Sequence, residues 1–424
     1  MWTLLRTNPR FRRLFVCGVV TSFGETAVYL SLAIWVKDLT GSNAAAGAVF
    51  LAITVPGLFA PLLGHLVDRV SRKRLMVGMY SGMAVLFLAL LAVRGVEQVW
   101  IIYVVTFCYG ILSASPASPA LLKDVLPSAD AAAARSLIIA VSQGVRIVSP
   151  ALGAAAYVAF GGRSLAVLGT GTFVVAVLLL SSIKVVESEP EPAGERFLTA
   201  VVAGFRFIRG VPLLLRLTLT TLGFMTVVGL LETAIFAANQ GLGQQAAFLG
   251  VITSFQGGGS VLGGLVAGTA VKRWGEVKGT GAGYVLIASG LALCLVPGVP
   301  FFLVGVVLFG LGLPFVMVAL GTALHLYTPS RMQGRANAAV SSVTDAVQSA
   351  SIAAGAALIA VLGYHVMYVA MAVAATLCAV SLFVARVPVP EVEKSIADED
   401  GADVEVVEVV AEPVKSDVDA EIRK

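Results

Sequence analysis

The stretch Gly64-His-Leu-Val-Asp68-Arg69-Val-Ser71-Arg72-Lys73-Arg74 sets five charges between two long apolar runs, 44–63 and 75–93. About 20 apolar residues at 1.5 Å each cross the hydrocarbon core, so both runs are long enough to span a bilayer. A loop this short and basic between two spans marks the cytoplasmic face, where Lys and Arg are retained. Asp68 has two readings. It is either an acceptor that latches onto an Arg or a helix N-terminus of a neighbouring segment, or a solvated acid in an ordinary basic turn.

The rest of the chain has the composition these two spans require. It is 58% hydrophobic and 13% charged, with a mean hydropathy of +0.92, well outside the range of water-soluble domains. Continuous apolar runs, rather than alternating strands, exclude a β-barrel. The expected fold is an all-α polytopic membrane protein with twelve spans: 14–36, 44–66, 75–93, 99–121, 136–160 and 165–185, then 213–238, 246–271, 279–297, 301–326, 337–362 and 366–386. Loops sort by charge. Lys37, Arg94 and Arg163 are the bases on the expected outer side, so both termini are expected in the cytoplasm and the chain in the plasma membrane. The four cysteines, Cys17, Cys108, Cys294 and Cys378, are dispersed in apolar runs without metal or disulfide spacing.

The sequence divides into a basic entry (1–13), a first six-helix bundle (14–185), a linker (186–212), a second bundle (213–386) and an acidic tail (387–424) expected to be disordered. The linker opens with Glu187-Ser-Glu189-Pro190-Glu191-Pro192. It then repeats Phe197, Val201, Phe205 and Ile208 at helical spacing beside Arg196, Arg206 and Arg209, the pattern of an interfacial helix. The halves echo one another: Gly64–Arg74 has a counterpart in Gly268–Lys278, with Lys272 where the first copy has Asp68. Such duplication suits a transporter whose two halves rock about a midplane site. No folded basic domain points to nucleic acid, and no phosphate-cradling glycine loop points to ATP.

Ionisable groups at membrane depth are costly, which makes each a functional candidate. Glu25 lies mid-span with Thr21, Ser22 and Tyr29 in one polar stripe. Arg146 lies mid-span beside Gln143 and is the expected partner of Glu25 or another carboxylate. Glu232 falls in the outward third of span 7, as either a gate or a rim residue. Asp345 and Gln348 share a face of span 11 with Ser341 and Ser349, for helix-to-helix bonding or for transport. His325 reads as a boundary residue. The glycines at 257–259, 263 and 264 let span 8 approach a neighbour closely or bend.

Spacing also carries a family resemblance. Gly64-x-Leu66-x-Asp68-Arg69-x-x-Arg72-Lys73 resembles the loop between helices 2 and 3 of the major facilitator superfamily, with Ser71 where that family usually has Gly. Ser149-Pro150-Ala-Leu-Gly153 resembles the span 5 motif of its antiporters, with Ser149 in place of a first Gly. The pattern Phe11-Arg-Arg-Leu14…Ser22-Phe-Gly24-Glu25…Thr40-Gly41-Ser42 is similar to its bacterial drug- and macrolide-efflux branch. The resemblance implies two pseudo-symmetric six-helix bundles and a monomeric, proton-coupled exporter of amphipathic or cationic small molecules. It implies no enzyme activity, cofactor or metal, and it places a coupling acid at Glu25. A siderophore or metabolite exporter, an importer, and a non-transporting membrane sensor or assembly subunit stay open as alternatives.

Overall fold

The computed structural model describes residue 6 and residues 8–56, 71–113, 128–183 and 197–384. Of the loop motif, Gly64, Asp68 and Arg69 therefore lie outside the described residues, as does the tail. Helix α1 (Pro9–Thr40) begins where Asn8 accepts from the Arg10 and Phe11 amides, at 3.1 and 3.0 Å, with Pro9 in the first turn. It ends at Gly41, whose φ of 69° only glycine adopts readily. Ser42 then caps α2 (Asn43–Thr54) through the Ala45 amide.

The chain continues through α3 (Arg72–Ala89), α4 (Val99–Ser113), α5 (Ser128–Phe160), α6 (Gly162–Ser181), α7 (Phe197–Gly210) and α8 (Pro212–Gly241). It closes with α9 (Phe248–Trp274), α10 (Glu276–Leu293), α11 (Val299–Tyr327) and α12 (Ser330–Val384). Helix α12 turns at Gly363, φ 68°, into two arms. With α7 set aside as the linker helix, every expected span has its helix or arm. Among the described residues seven stretches are long and apolar enough to cross a membrane by themselves. Helices α2 and α4 stop near the edge of the described residues, and α5 starts eight residues before its expected span, at Ser128.

Small residues set the helix spacing, as interfaces in lipid require. A side chain on Gly259 or Gly263 of α9 would strike the backbone of Val307 or Leu311 in α11. One on Gly153 of α5 would strike the Ala27 carbonyl of α1. Aromatic rings fill the first half, with Phe87 stacked on Phe173 at 5.6 Å between centroids.

Cations close the helix ends. Lys73 donates to the Ser181 and Ile183 carbonyls at 3.1 and 2.6 Å, and Arg13 to that of Ser182 at 2.7 Å, so the C-terminus of α6 is capped from two helices. In the second half Arg216 donates to the Ser381 carbonyl at the end of α12. Arg13 and Arg216, 203 residues apart, occupy matching places in the duplication, and each donates to a carbonyl near the end of the last span of its half. These caps define one end of the molecule, the Lys73 end. The opposite Lys37 end is where α1 passes into α2.

Candidate functional site

The two halves meet through residues at equivalent places in the repeat. The Tyr29 hydroxyl of α1 donates to Oε2 of Glu232 in α8 at 3.3 Å, across a sequence separation of 203. Lys37 Nζ donates to Oε1 of Gln240 at 3.1 Å, again across 203 residues. Asn43 donates to the same oxygen at 3.4 Å. Between these levels Phe50 packs on Tyr29 and Phe236, with centroids 4.8 and 5.9 Å apart. Gly250 of α9 seats against Ala151 and Ala154 of α5. Eight residues from Glu232 to Gln240 rise about 12 Å. The contacts that plug the Lys37 end spread over about that depth, around a pocket of about 250 Å³ lined by Lys37, Phe236, Asn239 and Gln240.

Beneath the plug lies a cavity of about 910 Å³, lined from Ile235 and Thr253 down to Leu265 and Val318. This is the volume range of sites for drug-sized ligands, about 300–1,000 Å³. Its wall is mostly apolar, with Phe50, Phe224, Met225, Phe309 and Met317 prominent and Thr26, Tyr29, Thr253, Gln256, Ser260 and Gln348 among the polar points. Glu232 is the one carboxylate among the described lining residues. Gln348 of α12 lies within electrostatic reach of the same group, so α1, α8 and α12 converge on one carboxyl group. Methionines and aromatics give a surface that adapts to varied ligand shapes, while a carboxylate supplies one strong, directional contact for a cation.

The expected site residues separate into groups. Tyr29, Glu232, Gln348 and Pro150 line the cavity. Glu25 does not. It lines a small apolar crevice inside the first half with Val28, Tyr29, Phe87 and Tyr109, and Tyr80 is within electrostatic reach of it. Tyr29 borders both spaces and so stands between Glu25 and Glu232. Thr21 is buried and donates to its own helix at Cys17 and Gly18, while Ser22 accepts from Thr26 through its carbonyl. Asp345 is exposed on α12, Gln348 is half-buried, and Ser349 is buried. Gln143 and Arg146 lie on α5, but their side chains are outside the described part. Ser149 donates to the Val145 carbonyl at 2.6 Å, and Gly153 is the contact point with α1, so this motif forms a helix crossing. Arg72 opens α3, and Lys73 caps α6.

Sequence reasoning missed Gln240, Asn43 and Phe236 in the plug and the apolar lining. The repeat offset held the signal for the first of these. Lys37 and Gln240, like Tyr29 and Glu232, occupy matching positions on helices that meet between the halves.

The profile of the Major Facilitator Superfamily matches residues 14–248 and 229–416. An uncharacterized MFS-type transporter, YfiS of Bacillus subtilis (strain 168), is 22% identical over 367 residues, covering 84% of this chain and 88% of that protein. Among solved structures, the nucleoside transporter NupG superposes with a TM-score of 0.70 at 13% identity, over 88% of this chain and 98% of that one. A bacterial homologue of the iron transporter ferroportin, in an inward-facing state, gives 0.67 at 15% identity, over 88% and 98%. The POT family transporter PepTSo gives 0.68 at 11%, over 88% and 97%. The cargoes of these transporters differ, so the likeness carries the fold. The twelve-helix architecture, the duplication and the profile match together make this chain a member of the Major Facilitator Superfamily.

Proposed function

We propose that this transporter is a proton-coupled exporter of lipophilic, cationic small molecules, working as a monomer in a bacterial cytoplasmic membrane with both termini in the cytoplasm. The observation that carries the reading is the Tyr29–Glu232–Gln348 junction, set in an otherwise apolar cavity. The charge asymmetry of the loops supports the orientation, which makes the Lys37 end extracellular.

The junction supplies a coupling logic. A charged Glu232 accepts the Tyr29 hydrogen bond and holds the extracellular end shut. A proton or a cationic substrate competes for the same carboxylate, and either one weakens that bond. The empty, deprotonated carrier stays locked, whereas the loaded carrier is released. Exchange of one cargo for the other is the condition for antiport. Glu25, on the far side of Tyr29, is the second acid of the path.

The test is substrate accumulation in inverted vesicles driven by a pH gradient, with downhill counterflow as the control. Glu232→Gln should abolish accumulation at any substrate concentration, and retain counterflow at substrate concentrations raised to offset the lost cation contact. Gradient-driven accumulation at the wild-type level in that variant would refute the assignment. If Glu25→Gln alone uncouples, the coupling acid is Glu25.

A further inference from the structure

Helix α7 carries two faces with different fates. On one, Gly204 seats directly against the Arg335 backbone at the start of α12, Ile208 is buried, and Val201 and Phe207 pack on the core. The expected apolar stripe is therefore split: Val201 and Ile208 face the protein, and Phe205 does not. The other face consists of Val202, Phe205, Arg206 and Arg209, at positions i, i+3, i+4 and i+7, all of them exposed. Val202 is 57% exposed and Phe205 42%. Neither guanidinium has a partner among the described residues. The helix ends at Gly210, two residues before Pro212 opens the membrane helix α8, so this face lies at the bilayer boundary.

We infer that the Val202–Phe205–Arg206–Arg209 face of α7 binds the headgroups of anionic phospholipids in the adjoining leaflet. Water suits this face poorly, since it would surround two large apolar side chains. A zwitterionic surface would leave the guanidinium forks without a net countercharge. An anionic leaflet satisfies both, with Phe205 and Val202 entering below the headgroups and each guanidinium gripping phosphate oxygens. The contact also reaches the cavity. Gly204 rests on the backbone of Arg335, and the same arm of α12 carries Gln348, a partner of Glu232. Lipid bound to α7 thereby steadies the helix that completes the junction. The inference stands on the placement of α7 and does not depend on the substrate or on proton coupling.

The full chain is reconstituted in phosphatidylcholine nanodiscs doped with photoactivatable phosphatidylglycerol or photoactivatable phosphatidylcholine, and cross-links are mapped by mass spectrometry. The anionic probe should label residues 197–210 well above the neutral probe. Arg206→Gln with Arg209→Gln should lower that labelling about ten-fold, while Arg206→Lys with Arg209→Lys should keep most of it. Wild-type elution in size-exclusion chromatography controls for folding. Equal labelling by both probes, unaffected by the glutamine pair, would overturn the inference. So would labelling that appears only after residues 391–424 are deleted, because the acidic tail would then be the occupant of this face.

Discussion

At the scale of single residues, one hydroxyl aimed at one carboxylate joins the two halves. Hydrogen bonds to a charged acceptor contribute about 1.5–3 kcal/mol, against about 1 for neutral pairs. Tyr29→Phe removes the donor and leaves the ring packed on Phe50. The extracellular end should then open about ten-fold more often. Val228→Cys reports this, since Val228 lines the cavity one helical turn inward of Glu232, behind the plug. An impermeant thiol reagent applied from outside, in a background without the four native cysteines, should label the Tyr29→Phe protein about ten times faster than its parent. An unchanged rate would mean that the bond does not bear on gating. Glu232 was legible in the sequence as an acid at membrane depth, yet its partner was not. A bond across 203 residues depends on how two halves pack, and no local periodicity encodes that.

Between elements, glycine position decides more than glycine content. Gly258 and Gly259 are neighbours on α9, but a Cβ on the first meets nothing within 4 Å, while one on the second strikes the Val307 backbone. Gly259→Ala should cost about 1–3 kcal/mol through overpacking and lower the melting temperature in detergent. Gly258→Ala should match the wild type or exceed it slightly, since alanine favours helix. Equal melting temperatures would contradict the close α9–α11 approach. The caps on α6 give a second contrast. Lys73→Ala should lower stability by about 1 kcal/mol, whereas Arg74→Ala, at an exposed site, should leave it unchanged in the same assay. Apolar runs foretold the spans, and the run of glycines foretold close packing. Which helix receives the close approach was not legible, because that depends on the fold of the whole second half. The linker helix shows the same limit: its apolar periodicity was visible, but the choice between protein and lipid for each face was not.

On the scale of the whole molecule, the closed end is held by few polar contacts. Asn43 and Asn239 bond through their amide nitrogens, and Asn239 lines a pocket of about 250 Å³ with room for water. Tyr29, Lys37 and the α5–α9 contact hold the two halves together there. Loss of one hydrogen bond to a charged acceptor, about 1.5–3 kcal/mol, is enough to shift the balance between the two states.

The most direct measurement is the distance between the two halves at the extracellular end as a function of pH. Spin labels at Val96→Cys and Val296→Cys occupy exposed sites, one in each half, away from the cavity. Pulsed electron resonance in lipid should find a predominantly short distance at high pH and a growing long-distance population as acidification protonates Glu232. Glu232→Gln, fixed in a neutral form, should populate the long distance at every pH. A distance distribution that ignores pH in the wild type, or that is unchanged in Glu232→Gln, would contradict the claim that this carboxylate locks the transporter.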